Sequence, residues 1–370
     1  MRLLWPVNWR LFRNEAHMKR EYYLQLAAGG LRLPIGIDLV LHDSPDPQRI
    51  LRDGSLLGEV VETAARRYAS PLAVPLMDLT LEKEDLLRIL GTPEAEAETF
   101  HFGEAPSEGA LQLVRDSSRT PFGTRGQAHI DSVHYIAGKT ALLPVGMAIG
   151  PFSLMTKLMA DPITAIAMAG MGMTPEGDAS VLLAERCLEL AEMAIARSLE
   201  AQIKAGAKAI MICEPAANIV YLSPRQINSG SDIFERYVMR PNLRIKKQLA
   251  SAEVDLIFHN CGDLVGLMVE QFATRLDPAI LSLGSSRVLW EDAALVPKDV
   301  VLFGNLPTKK FYSDDAMPTS QVEAMTLELI KRMRAIGHPH ILGSECDVLH
   351  VPGAASAIRS KVEAMLTCGR

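Results

Sequence analysis

From residue 71 onward, short apolar runs alternate with longer stretches in which apolar residues recur at helical spacing. The runs at 71–78, 141–150, 207–214, 254–259, 279–283, 300–305 and 341–344 read as buried strands. The stretches 179–204, headed by Asp178 as a cap, then 232–252, 264–275 and 319–336 read as helices. Strands alternating with helices imply a parallel sheet. About eight such units within roughly 300 residues favour an α/β fold of the (β/α)8 TIM-barrel type over an open sheet. The segment 103–140, rich in glycine and polar residues, reads as irregular or hairpin structure inserted between strands. Residues 1–70 read as a mostly helical extension packed on a barrel of residues 71–370. Within it, 48–68 has helical spacing, and Asp46-Pro47 offers a start with proline in the first turn. The aromatic cluster Trp5, Trp9, Phe12, Tyr22 and Tyr23 either packs on the main domain or forms a docking surface.

Composition narrows the classes. With 370 residues, 48% of them hydrophobic, the chain can bury a sizeable core. A net charge of −6 without long single-sign runs leaves no basic face for nucleic acid. Five scattered cysteines do not form a disulfide framework, which points to a reducing, cytoplasmic setting. The first residues are broken by Arg2, Pro6, Arg10 and Arg13, unlike a signal peptide. No stretch approaches the roughly 20 apolar residues that span a membrane. Neither a Gly-x-Gly-x-x-Gly after a strand nor a Walker A sequence is present, against a nucleotide fold.

Chemistry concentrates at strand ends. The 254–259 run leads into His259-Asn260-Cys261-Gly262, where residues two apart share a face and the glycine lets the backbone turn away. A second strand leads to Cys346. Two thiols and one imidazole suit zinc and leave a fourth position open; buried cysteines equally serve as small apolar filler. In a barrel, active residues belong at the C-terminal strand ends. That rule collects Asp78, Glu214, His259, Cys261, Asn305 and Cys346. Asp78, Glu214 and Asn305 could orient a ligand, or cap helices and tie loops. Asp263 and Glu345 neighbour the metal candidates, and alternation turns Glu345 away from Cys346. The pair His338 and His340 looks like a metal motif but precedes its strand, about 20 Å from Cys346 at ~3.3 Å per residue. Six methionines at 147, 155, 159, 168, 171 and 173 read as helix core or as an apolar floor for a cofactor ring.

In these residues the chain resembles the uroporphyrinogen decarboxylase superfamily, and within it the zinc-dependent methyltransferase branch typified by methylcobalamin:coenzyme M methyltransferases. The resemblance rests on His259-Asn260-Cys261-Gly262, Gly304-Asn305 and Gly343-Ser344-Glu345-Cys346-Asp347. Supporting matches are Val74-Pro75-Leu76-Met77-Asp78 with Glu82-Lys83-Glu84, Gly150-Pro151-Phe152, Glu214-Pro215-Ala216-Ala217 and Leu222-Ser223-Pro224. The family usually carries aspartate where Glu214 stands. The resemblance implies Zn2+ on His259, Cys261 and Cys346. It also implies a methyl-corrinoid donor such as methylcobalamin, carried by a separate corrinoid protein, and a small-molecule thiol or folate acceptor. A decarboxylase of the same fold would bind a porphyrinogen's carboxylates through an Arg-Gln-Ala-Gly-Arg segment. That segment is missing; Arg32, Arg49 and Arg52 are scattered.

Overall fold

The computed structural model describes residues 20–370. Eight strands form one parallel sheet: β1 Arg32–Ile35, β2 Leu72–Ala73, β3 Leu143–Ile149, β4 Ala209–Cys213, β5 Asp255–Asn260, β6 Ile280–Leu283, β7 Val301–Leu306 and β8 His340–Asp347. Their order, β1-β8-β7-β6-β5-β4-β3-β2, sets the last strand beside the first, the curl of a (β/α)8 barrel. Alternation along the strands makes two cores. One fills the barrel, with Leu33, Val145, Met211, Ile257, Phe303 and Ile341. The other, larger one lies between the sheet and the surrounding helices.

Three expectations meet a different structure. The segment read as mostly helical contains β1, so the barrel's strands begin upstream of residue 71. A four-residue strand containing Pro34, which has no N–H, leaves little periodic signal. The 71–78 run pairs with β3 over only two residues, because Pro71 and Pro75 flank the ladder. Second, 48–68 is two helices, Pro47–Ile50 and Gly54–Arg67. Asp46 accepts from Arg49 N at 3.0 Å, and Asp53 accepts from Ser55 N and Leu56 N, opening a second helix. Third, 103–140 is neither irregular nor a hairpin. It holds the helices Glu108–Arg115 and Thr124–Lys139. Ser107 caps the first, and each buries a narrow apolar face (Leu111 and Val114; Ala128, Val133 and Ile136) behind the polar and glycine residues that dominate the sequence.

Tyr22 and Tyr23, on the helix Arg20–Ala28, are fully buried in the barrel-filling core, as packing on the main domain requires. Tyr23 Oη donates to Asp255 Oδ2 at 2.8 Å, at the start of β5. Trp5, Trp9 and Phe12 lie outside the described residues. Among the described residues no helix is long and apolar enough to cross a membrane.

Candidate metal centre

β5 carries His259 at its C-terminal end, where the ring is almost wholly buried between Cys213 of β4 and Ser282 of β6 in the ladder. Nδ1 sits 2.8 Å from Ser282 Oγ, while Nε2 is buried with no hydrogen-bond partner. With Nδ1–H donating to Ser282, the Nε2 lone pair is left free to bind a metal. Cys261 follows directly after the strand, where the backbone is packed tightly. A Cβ on Gly284 would come within 2.7 Å of Cys261 O, and one on Gly262 within 2.7 Å of Pro215 O. Glycine at both positions lets the turn bring the thiol back over the barrel mouth.

Cys346 arrives from β8. There β1 advances from Leu33 to Ile35 while β8 advances from Gly343 to Asp347, so β8 bulges. Strict alternation fails across the bulge. Ser344 Oγ accepts from Ile35 N at 2.9 Å, and Glu345 accepts from Ser285 Oγ at 2.6 Å and from Lys309 N at 3.3 Å. Cys346 Sγ packs 3.8 Å from Met77 Sδ. The ligand atoms of His259, Cys261 and Cys346 all lie within 4.8 Å of one another. Three side chains from distant parts of the sequence therefore converge.

The two thiols push each other's pKa apart. The hydrogen bond from Cys346 holds the Cys261 thiol down to about 7 against the opposing effect of burial. The same bond, reinforced by burial, pushes Cys346 up to about 12. The donor set fits zinc. A buried imidazole nitrogen without a partner is costly unless something satisfies it. Two soft sulfurs beside it complete a three-ligand set with a fourth position open.

The other strand-end residues bring no ligand atom to this cluster. Glu214 is fully buried and clamps a helix start: it accepts from Ser153 N at 2.6 Å, Phe152 N at 3.4 Å and Asn242 Nδ2 at 2.9 Å. Burial raises its pKa against those bonds. A Cβ on Gly150 would fall 2.2 Å from that carboxylate, so the strand end is shaped around it. Asp78 is held by Arg125 and by Thr80 Oγ1 at 2.7 Å. Asn305 Nδ2 donates to Gly284 O and Arg287 O, each at 2.8 Å, tying the loop after β6 to β7. Of the methionines, 155 and 159 lie in the outer core and 147 inside the barrel; only 171 is strongly exposed. Sequence reading missed Ser282, Met77 and Lys309. Nothing local marks Ser282, because its role comes from the ladder that sets it opposite His259.

Fold and site thus define a (β/α)8 barrel with a thiol–imidazole centre at its C-terminal mouth. The family model described as "Uroporphyrinogen decarboxylase (URO-D)" matches residues 55–357, and the chain belongs to that family. No curated protein matches it in sequence. Among solved structures, a methyltransferase from Methanosarcina mazei superposes with a TM-score of 0.64. It covers 94% of this chain and 98% of that chain at 17% identity, a likeness of fold. A 3-keto-D-glucoside 4-epimerase from E. coli, in its apo form, is 16% identical over 72% of this chain and 97% of its own, with a TM-score of 0.39.

Proposed function

We propose that the protein is a zinc-dependent methyltransferase that moves a methyl group from a protein-bound methyl-corrinoid to a small-molecule thiol. The observation that carries this reading is the orphaned, buried Nε2 of His259 beside the sulfurs of Cys261 and Cys346. When bound, zinc supplies deprotonation of the acceptor thiol and keeps its sulfur nucleophilic, because two cysteinates and a neutral imidazole already cancel the ion's charge. Ser282 fixes the ring of His259, and the glycines at 262 and 284 fix the Cys261 backbone. In the overall reaction the acceptor's S–H bond and the donor's Co–C bond break. A new S–C bond forms, the Co–C electron pair stays on cobalt as Co(I), and a proton is released.

A donor too large to enter the barrel needs a docking face. Val220, Leu267, Val288 and Tyr312 are exposed after β4, β5, β6 and β7 in turn, and Leu349 and Val351 are exposed after β8. Scattered apolar residues need no explanation, but an arc of them along one side of the mouth, from β4 to β8, suits a protein partner. The methyltransferase from Methanosarcina mazei that shares this fold supports the methyl-transfer reading. Two of the three arginines of the decarboxylase alternative are engaged elsewhere: Arg32 points to the far end of the barrel, where it bonds carbonyls of the last helix, and Arg52 faces Glu94 at 3.6 Å.

The test is methyl transfer from methylcobalamin to a panel of thiols and a reduced folate, with elemental analysis of the purified protein. Equimolar zinc and thioether formation are expected. Metal-free protein with full activity overturns the reading, and transfer to the folate alone moves the acceptor from sulfur to nitrogen.

A further inference from the structure

At the N-terminal end of the barrel, opposite the thiols, lies a cavity of about 780 Å³, within the usual range for small-molecule sites. The helix Arg20–Ala28, the start of β1, the end of the helix Thr319–Ile336, residues 337–340 and the chain's last residues enclose it. Much of its wall is apolar, with Leu24, Leu26, Met333 and Leu342 among the lining residues. Among the described residues its charged side chains are Arg32, Arg334 and Arg370, and no aspartate or glutamate lines it.

Many surface arginines elsewhere have acidic partners, although Arg49, Arg119 and Arg225 have none among the described residues. Arg332, two residues from Arg334 on the same helix, pairs with Glu328 at 2.6 Å. Arg334 and Arg370 have no such partner among the described residues. Arg32 is 5% exposed. Its Nη1 donates to Met365 O, Leu366 O and Cys368 O at 3.1, 3.2 and 2.7 Å, and the Cys368 side chain is a further partner. Burial first, then the like charges of Arg370 and Arg334, push this guanidinium below its usual range. Like charges gathered around an apolar cavity with no acidic side chain among its described lining residues repel one another, and an anion relieves that repulsion.

We propose that this cavity binds a small organic anion, an apolar body bearing a phosphate or carboxylate head, with the head among Arg32, Arg334 and Arg370. The site lies about 20 Å along β8 from Cys346, at ~3.3 Å per residue, and is independent of the metal centre.

Calorimetric titration of the full chain tests it with four probes: phenyl phosphate, benzoate, inorganic phosphate and benzylamine. Saturable, equimolar binding of phenyl phosphate or benzoate is expected, and the stronger of the two identifies the head group. Inorganic phosphate should bind more weakly for want of the apolar body, and benzylamine should not bind. Reversing both exposed charges, Arg334→Glu with Arg370→Glu, should weaken binding at least about tenfold, while Arg332→Glu should not. Arg32 is left intact because it holds the last helix. Failure of both organic anions to saturate, equal binding of benzylamine, or unchanged affinity in the double variant overturns the proposal. The same titration on Cys261→Ala should match the wild type, so this site and the methyl-transfer reading stand or fall separately.

Discussion

The two ends of the barrel are built from the same strands and hold opposite chemistry. β8 begins at His340 and ends past Cys346. At its start, His340 Nε2 bonds Gly304 O at 2.8 Å and His338 Nε2 bonds Val300 O at 3.1 Å. Those rings serve the backbone, no thiol joins them, and the apparent His-Pro-His motif is not a metal pair. At the mouth, His259 spends Nδ1 on Ser282 and keeps Nε2 bare beside two sulfurs. His338 Nδ1 is also buried without a partner, so what sets His259 apart is the pair of sulfurs that converge on its bare nitrogen. Charge follows the same division: thiols, Glu345 and Asp263 lie around Lys309 at the mouth, while among the described residues arginines and no acidic side chain line the foot.

The sharpest way to break this contrast is to remove one ligand. We predict that Cys261→Ala, Cys346→Ser or His259→Ala each lowers zinc affinity by well over about 100-fold, more than loss of a supporting group costs, and takes methyl transfer to background. His340→Ala should leave zinc content untouched. Elemental analysis checks both, and zinc lost equally from the His340 variant would erase the distinction between the ends. Next in size is Ser282→Ala, which frees the ring of His259. Zinc affinity should drop about 10–100-fold, measured by competition with a chelator; an unchanged value would mean that packing alone orients the ring. Glu214→Ala should act on stability instead. It strands the N–H groups of Phe152, Ser153 and Asn242, at about 1–3 kcal/mol for each buried donor left unpaired. A lowered urea midpoint with zinc stoichiometry kept marks a clamp, whereas lost zinc with normal stability marks a ligand.

The barrel and the convergence of His259, Cys261 and Cys346 were legible because both depend on strand ends, and apolar runs bounded by turns mark strand ends well. The bulge before Cys346 was not legible. Alternation separates Glu345 from Cys346 in an ideal strand, and only the pairing with β1 reveals the extra residues. β1 itself stayed hidden because four residues with a proline carry almost no period. The helices within 103–140 were masked by polarity, since each buries only a narrow stripe. Ser282 and the foot's arginines become neighbours of anything only through the closed sheet, which no local pattern encodes.

The smallest effect separates the ends by pH. Burial lowers His340 from 6.5 to about 4. The unfolded chain therefore takes up this proton first, and His340 contributes a loss of stability as pH falls from about 6.5 to 4. Glu82, in the first turn after β2, behaves oppositely. Buried and bonded to Ser198 Oγ at 2.9 Å, it is raised from 4.5 to about 7. The folded chain protonates it first, so it contributes a gain as pH falls from about 7 to 4.5. In the wild type the two slopes oppose each other over most of that window. Glu82→Gln should expose the His340 slope, with stability falling toward pH 4, and His340→Gln should expose the Glu82 slope, with stability rising toward pH 4.5. Urea midpoints across pH 4–7 resolve the two, each worth at most a few kcal/mol. Parallel curves for both variants and the wild type would show that neither buried group titrates differently in the folded and unfolded chain.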